Sequence, residues 1–174
     1  TFLQLKESDF KKSIFSLSLM SFAVLYTGLM WGSLIMIKRM NVFYLVILIV
    51  ATWICDIGAY FIGIFFGKHK LNLKVSPKKS LEGFIGGIVI SILTIYLTCY
   101  FSNLIKFQIW MIILPFTTIF GDLLESMIKR ACNTKDSSRI IPGHGGILDV
   151  FDSLIFNAPI IYIAIKIIND INIS

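Results

Sequence analysis

The stretch VFYLVILIVATWICDIGAYFIGIFF, Val42–Phe66, decides the fold, because its 25 residues contain one charged side chain, Asp56. A helix needs about 20 apolar residues to cross the hydrocarbon of a bilayer. A transmembrane strand would instead alternate apolar and polar positions over about ten residues, and this run does not alternate. Four further runs of the same kind flank it. Residues 14–37 are free of charge, and residues 84–101 are opened by Gly83, Gly86 and Gly87. A fourth run begins near residue 107, stays apolar to residue 120, then turns polar while keeping a helical pattern. The last covers residues 147–168, with Asp149 and Asp152 at its entrance. The predicted fold is an all-α, polytopic transmembrane bundle of about five spans, one membrane-embedded domain over residues 1–174.

Composition agrees. Hydrophobic residues make up 56% and charged residues 15% of the 174, where soluble domains carry about 25% charged residues. The formal charge of +6 does not mark a nucleic-acid binder, because the aromatic residues lie inside apolar runs rather than between Lys and Arg. Lipid-facing or interhelical packing accounts for them, and no nucleic-acid partner is expected. Cys55, Cys99 and Cys132 are odd in number and dispersed, so they offer neither zinc spacing nor a disulfide framework. The sequence opens on Thr1 rather than Met, so a piece of a longer protein is expected.

Five spans place successive connections on alternate sides. Residues 1–13, 67–82 and 129–146 share one side and carry three, five and four Lys or Arg. The other side carries Lys38, Arg39, Lys106 and Lys166. The excess of positive charge assigns the first side to the cytoplasm, the compartment that holds nucleotides.

Polar residues concentrate on that side. Asp122, Glu125, Ser126 and Lys129 fall at i, i+3, i+4 and i+7, one helix face. Carboxylates in a membrane helix are costly and normally turn to a polar cavity with a partner. Two readings are open at this point: a functional cluster, or ion pairs in which Lys129 and Arg130 satisfy Asp122 and Glu125. The continuation, SMIKRACNTKDSSRIIPGHGGILDVFDSL over residues 126–154, adds Lys135 and Arg139, a Pro-Gly-His-Gly-Gly turn, and Asp149 and Asp152 one helical turn apart. Gly143, Gly145 and Gly146 allow backbone N–H groups to converge on an anion ahead of a helix N-terminus. Basic residues neutralise phosphate charge, while Asp122 and Asp149 offer hard oxygens to Mg²⁺, which commonly takes one or two carboxylates and leaves its other positions to water and phosphate. Polyphosphate with Mg²⁺ is the ligand that suits the combination. Singly, His144 reads equally well as an ordinary loop histidine, and Asp149 as a capping charge.

The loop FGKHKLNLKVSPKKSLEGFIGG, residues 66–87, holds five lysines. Lys68, Lys70 and Lys74 read either as a topogenic cluster or as contacts to anionic lipid. Lys78, Lys79 and Ser80 abut a helix start and are placed to hold phosphates, although Ser80 also fits an N-cap and Glu82 a first-turn acid. The run from Gly63 to His69 is one residue short of a Walker A loop and lacks its hydroxyl, so a P-loop is excluded. Asp56, mid-span with Tyr60 one turn later, reads as a wall of the active site or as a buried hydrogen-bonded pair.

These residues resemble the phosphatidate cytidylyltransferase (CDP-diglyceride synthase) family. The matching positions are Ser126, Lys129, Arg130, Lys135, Asp136, Pro142, Gly143, His144, Gly145, Gly146, Asp149 and Asp152. They are preceded in the same order by Asp56 to Tyr60, Phe66 to Lys70, Ser76 to Gly83, Gly121-Asp122 and Glu125-Ser126. The resemblance covers about residues 50–160, with its signature at 126–152, and is to the C-terminal portion of longer enzymes. It implies transfer of CMP from CTP to phosphatidate with Mg²⁺, giving CDP-diacylglycerol and pyrophosphate in a membrane, expected to be a bacterial inner membrane, with the site on the cytoplasmic side. It also implies a homodimer. On this reading Asp122 and Asp149 hold metal and Asp152 stands beside them. Lys78, Lys79, Lys129, Arg130 and Lys135 meet substrate phosphates with Ser80 and Ser126. Asp136 belongs to the catalytic set, and His144 with its glycines positions substrate. One departure is Val150, where the family typically has Arg, a residue able to contact phosphate or fix a carboxylate. The alternatives are a CTP-dependent lipid-alcohol kinase, which would release CDP instead of pyrophosphate, and a transporter or a decayed non-catalytic protein, which Val150 keeps open.

Overall fold

In the computed structural model, residues 7–71, 76, 79–102, 108–132, 134, 137–138 and 146–173 are described. They form five helices: α1 Glu7–Met40, α2 Val42–Phe66, α3 Leu81–Ser102, α4 Trp110–Ala131 and α5 Ile147–Ile173. Each is long and apolar enough to cross a membrane, and no strand is found among the described residues. The all-α bundle of five spans is therefore as expected, and α2 has the predicted bounds. The first helix is longer than the predicted 14–37, because its charged ends continue the helix beyond the apolar stretch. Lys38 and Arg39, on the side poor in positive charge, occupy the last turn of α1. Cations there meet the negative end of the helix dipole, a local reason for their position. The turn after them is a single residue, Asn41, whose side chain accepts the Phe43 N–H at 2.9 Å and caps α2.

Between apolar helices in lipid there is little hydrophobic driving force, so close packing and interhelical hydrogen bonds decide the arrangement. The α2–α3 contact is made by small residues. A Cβ on Gly83 would stand 2.6 Å from the Ala59 carbonyl oxygen, and one on Gly87 would stand 2.7 Å from that of Cys55. Only glycine lets these two backbones approach so closely. Ser91 of α3 donates to the Ala51 carbonyl of α2 at 3.0 Å across the same seam. Gly121 serves the α4–α5 contact, where a Cβ would meet the Phe156 Cβ at 2.8 Å. The neighbouring Asp122 is thereby brought beside the start of α5. Helix α1 packs on α5 and α2. A buried cluster of Ile37, Leu48, Trp110, Leu114, Leu154, Ala158 and Ile161 joins α1, α2, α4 and α5. Large apolar side chains such as Phe65 and Phe101 remain exposed on the outside of the bundle.

Candidate functional site

The loop between α2 and α3 folds back on itself. Leu71 N–H donates to the Lys79 carbonyl at 3.0 Å, and Leu81 N–H to that of His69 at 2.9 Å. Lys70 and Ser80 form an isolated antiparallel bridge. Glu82, in the first turn of α3, fastens the near end of the loop. Its carboxylate accepts the His69 N–H at 3.1 and 3.2 Å and lies 2.6 Å from His69 Nδ1. Ser80 is buried, and its Oγ accepts the Gly83 N–H at 3.2 Å. The capping role read from the sequence is thus present, and the hydroxyl proton remains for a further acceptor.

So held, the loop delivers Lys79 to Asp122 of α4, and the two form a part-buried ion pair. Asp122 has company. Asp56 of α2 lines the same cavity as Asp122 and lies within electrostatic reach of it and of Asp152 on α5. Asp152 Oδ1 accepts both the backbone N–H and the hydroxyl of Ser153. Three carboxylates from three helices therefore converge with one ammonium among them. A cavity of about 560 Å³ opens beside Asp56, Lys79 and Asp122, between α2, α3, α4 and the loop. Asp56, Lys79 and Asp122 stand at its polar end, and Tyr60, Ile64, Leu71 and Phe84 form its apolar walls. Its volume lies within the usual range of ligand sites, about 300–1,000 Å³.

A second cluster lies a turn or two further along α4. Lys129 Nζ sits between Glu125 Oε2 at 2.5 Å and Asp149 Oδ1 at 3.0 Å. Asp149 reaches back to the Gly146 N–H at 2.6 Å, which is the arrangement of an acid in the first helical turn satisfying the cap residue. It also accepts the Ser137 N–H and hydroxyl, each at 2.9 Å to Oδ2. Asp149 is thus both a cap of α5 and a tie between α4, α5 and the segment joining them.

The same-face reading of the fourth span is resolved in detail by these pairs. Lys129 pairs with Glu125 as the ion-pair alternative expected, whereas Asp122 pairs across the bundle with Lys79. Ser126 lies half-buried on α4. Arg130 is exposed, and its Nη1 donates to the Thr134 carbonyl at 3.4 Å. Val150 is half-buried in the first turn of α5. The expected roles of Lys78, Lys135, Asp136, Gly143, His144 and Gly145 lie outside the described residues. Gly146 is described, as the donor to Asp149.

Two features were not anticipated. Tyr26 of α1 lies within electrostatic reach of Glu125 and Asp152, and its buried hydroxyl oxygen has no hydrogen-bond partner among the described residues. It comes from a span with no charge, so nothing local marks it. Asn157 of α5 is fully buried and donates to Thr52 Oγ1 at 3.1 Å and Thr118 Oγ1 at 2.7 Å. An amide inside an apolar run was a readable signal, since such a group needs partners.

Among the described residues no three His, Cys, Asp or Glu side chains are grouped so as to hold a metal ion by themselves. The converging carboxylates still fit Mg²⁺, which draws most of its ligands from water and phosphate oxygens. Their mutual repulsion, met by one lysine, calls for positive charge.

A sequence profile of the Cytidylyltransferase family matches residues 1–168. The phosphatidate cytidylyltransferase of Aquifex aeolicus is 41% identical over 143 residues, 82% of this chain and 55% of that protein. That of Bacillus subtilis is 40% identical over 147 residues, 80% of this chain and 55% of the relative. That of Staphylococcus saprophyticus is 36% identical over 171 residues, 94% of this chain and 65% of the relative. The chain spans little more than half the length of the curated relatives it matches.

Proposed function

Because the chain belongs to the cytidylyltransferase family, we propose that it transfers CMP from CTP to phosphatidate, producing CDP-diacylglycerol and pyrophosphate. The observation that carries the reading is the Lys79–Asp122 pair, set with Asp56 at the polar end of a cavity with apolar walls. Such a cavity suits a molecule with a charged head and a hydrocarbon body.

The chemistry asks little covalent help from protein. The phosphate of phosphatidate has a second pKa of about 6, so near neutral pH it is largely dianionic. It can attack the α-phosphorus of CTP without a general base. The obstacle is repulsion between two anions, and the remedy is alignment and positive charge. Lys79 and Lys129 are held by carboxylates at two points of the site. Each can exchange part of that contact for a phosphate oxygen. Lys78, Arg130 and Lys135 are assigned to the same task, Ser80 and Ser126 to hydrogen bonds with substrate, and Asp136 and His144 with Gly143 and Gly145 to the catalytic loop. Asp122 and Asp149 would hold Mg²⁺ beside Asp152, and a bound Mg²⁺ supplies charge neutralisation to the triphosphate. The site is placed on the cytoplasmic side of a bacterial inner membrane, in a protein acting as a homodimer; the asymmetry of Lys and Arg between the two sides supports the sidedness.

The test is release of pyrophosphate from CTP by the protein in lipid, with and without phosphatidate. Pyrophosphate that depends on phosphatidate, with CDP-diacylglycerol in the lipid fraction, is expected. Release of CDP would identify a lipid kinase, and no turnover of CTP would leave the fold without this activity.

A further inference from the structure

We infer that Asn157 is a positioning residue, whose carboxamide locks α2, α4 and α5 so that Asp56, Asp122 and Asp152 remain convergent. The inference rests on the proposed role of those carboxylates and adds a layer beneath them. Asn157 Nδ2 donates to Thr52 Oγ1 of α2 at 3.1 Å and to Thr118 Oγ1 of α4 at 2.7 Å. Both amide hydrogens are thereby used. The two hydroxyls are in turn committed, Thr52 to the Leu48 carbonyl at 2.7 Å and Thr118 to the Leu114 carbonyl at 2.9 Å. Each threonine therefore presents only a lone pair to Asn157. This fixes which way the amide points, since its oxygen would find no donor in that place. All three residues are at most 1% exposed.

The register gives the network its purpose. Thr52 lies four residues before Asp56, Thr118 four before Asp122, and Asn157 four after Ser153. At about 1.5 Å per residue, the network lies roughly 6 Å deeper in the bundle than Asp56 and Asp122, on the same faces of α2 and α4, and on α5 it shares the face of Ser153, the neighbour that donates to Asp152. Its surroundings are apolar, with Leu48, Ala51, Leu114, Leu154, Ala158 and Ile161 in the adjoining cluster. Apolar contacts have no direction and tolerate rotation of a helix about its axis. A two-pronged amide does not. The crowding of three acidic side chains above it would otherwise be relieved by such rotations, which carry the carboxylates apart. One side chain bonded to both other helices opposes the motion at its nearest turn.

The variants are Asn157→Leu, Thr52→Val and Thr118→Val, which remove the bonds at similar volume, and Thr52→Ser and Thr118→Ser, which keep the hydroxyls. Two measurements apply to the whole protein in lipid nanodiscs. One is phosphatidate-dependent pyrophosphate release across a Mg²⁺ titration. The other is binding of Mn²⁺ alone, followed by electron paramagnetic resonance. For Asn157→Leu we expect a fall of at least tenfold in kcat, at least tenfold weaker Mn²⁺ binding, and little change in KM for phosphatidate. The serine variants should stay within twofold of the parent. The double Thr52→Val/Thr118→Val variant should match Asn157→Leu rather than exceed it, because all three break one lock. Parent-like kcat and Mn²⁺ binding in Asn157→Leu would overturn the inference, as would serine variants as damaged as the valine ones. If Asn157→Leu does not fold, Thr118→Val decides, because it leaves the bond to Thr52: a partial loss in Mn²⁺ binding supports the lock and none overturns it. A parent that binds Mn²⁺ but releases no pyrophosphate refutes the cytidylyltransferase reading, while the Mn²⁺ series still judges the lock.

Discussion

Replacing Lys129 by Met keeps most of the side-chain volume and removes the ammonium from between two carboxylates. The side chains of Lys129, Glu125 and Asp149 are 18%, 4% and 8% exposed, so water screens the loss little. Removing one partner of a buried pair leaves an uncompensated charge and costs about 3–5 kcal/mol. Asp149 retains donors from Ser137 and Gly146. Glu125 is worse placed, as its Oε1 is buried without a hydrogen bond among the described residues. Most of the cost should therefore arise at Glu125, and Glu125→Gln in the Lys129→Met background should recover most of it by removing the orphaned charge. Pyrophosphate release should stay lost in the double variant, because the ammonium that orders Asp149, and that is proposed to meet phosphate, is still missing. Unfolding in mixed micelles by titration with sodium dodecyl sulfate, followed by circular dichroism, gives the stability of the four proteins in this cycle. A cost for Lys129→Met below about 1 kcal/mol, the level of an exposed pair, would refute the reasoning. So would a double variant no more stable than Lys129→Met.

Asp149→Asn should abolish phosphatidate-dependent CTP turnover while leaving membrane expression intact, measured on isolated membranes; unchanged turnover rules out the assigned role. Gly83→Val places a branched side chain where a Cβ already stands 2.6 Å from the Ala59 carbonyl oxygen. Overpacking of this kind costs about 1–3 kcal/mol, to be read in the same micelle titration, and a neutral result would mean that α2 and α3 can part freely. Glu82→Gln weakens the clasp on His69 and should speed tryptic cleavage after the exposed Lys70, followed by mass spectrometry. Cleavage at the parent rate would show that other bonds hold the loop.

The spans were legible because an apolar run of membrane length has few other uses, and α2 begins and ends where its apolar residues do. Local bonds were legible too: the Ser80 cap, the pairing of Lys129 with Glu125 and the capping charge of Asp149 all follow from spacings of three or four residues. What escaped is set by packing. Lys79 and Asp122 are 43 positions apart, and their meeting depends on how closely α3 lies on α2 and how α4 turns on α5. Glu82 was readable as a first-turn acid, but not as the partner of a residue 13 positions earlier. Tyr26 could not be singled out, since a tyrosine in an uncharged span is ordinary. Asn157, Thr52 and Thr118 were individually visible as polar residues in apolar runs, and only their distances in the bundle make them a unit.

The charge of the site differs in sign from the charge of the chain. The sequence carries a formal +6, yet Asp56, Asp122, Glu125, Asp149 and Asp152 meet only Lys79 and Lys129 among the described ionic contacts. Lys68, Lys70 and Arg130 stand exposed at the ends of α2 and α4, and the sequence carries further Lys or Arg at 74, 78, 135 and 139. A basic rim draws anions from solution, whereas an acidic floor rejects them unless cations accompany them. A nucleotide triphosphate with its divalent cation satisfies both parts. On the proposed function, a divalent cation is therefore what would let substrate phosphates approach these carboxylates. The charge balance also bears on Val150: with the rim already rich in cations, loss of one arginine beside Asp149 should weaken substrate binding more than it slows transfer. Val150→Arg is then expected to lower KM for CTP severalfold with little change in kcat, and a rise in kcat at constant KM would reverse that assignment.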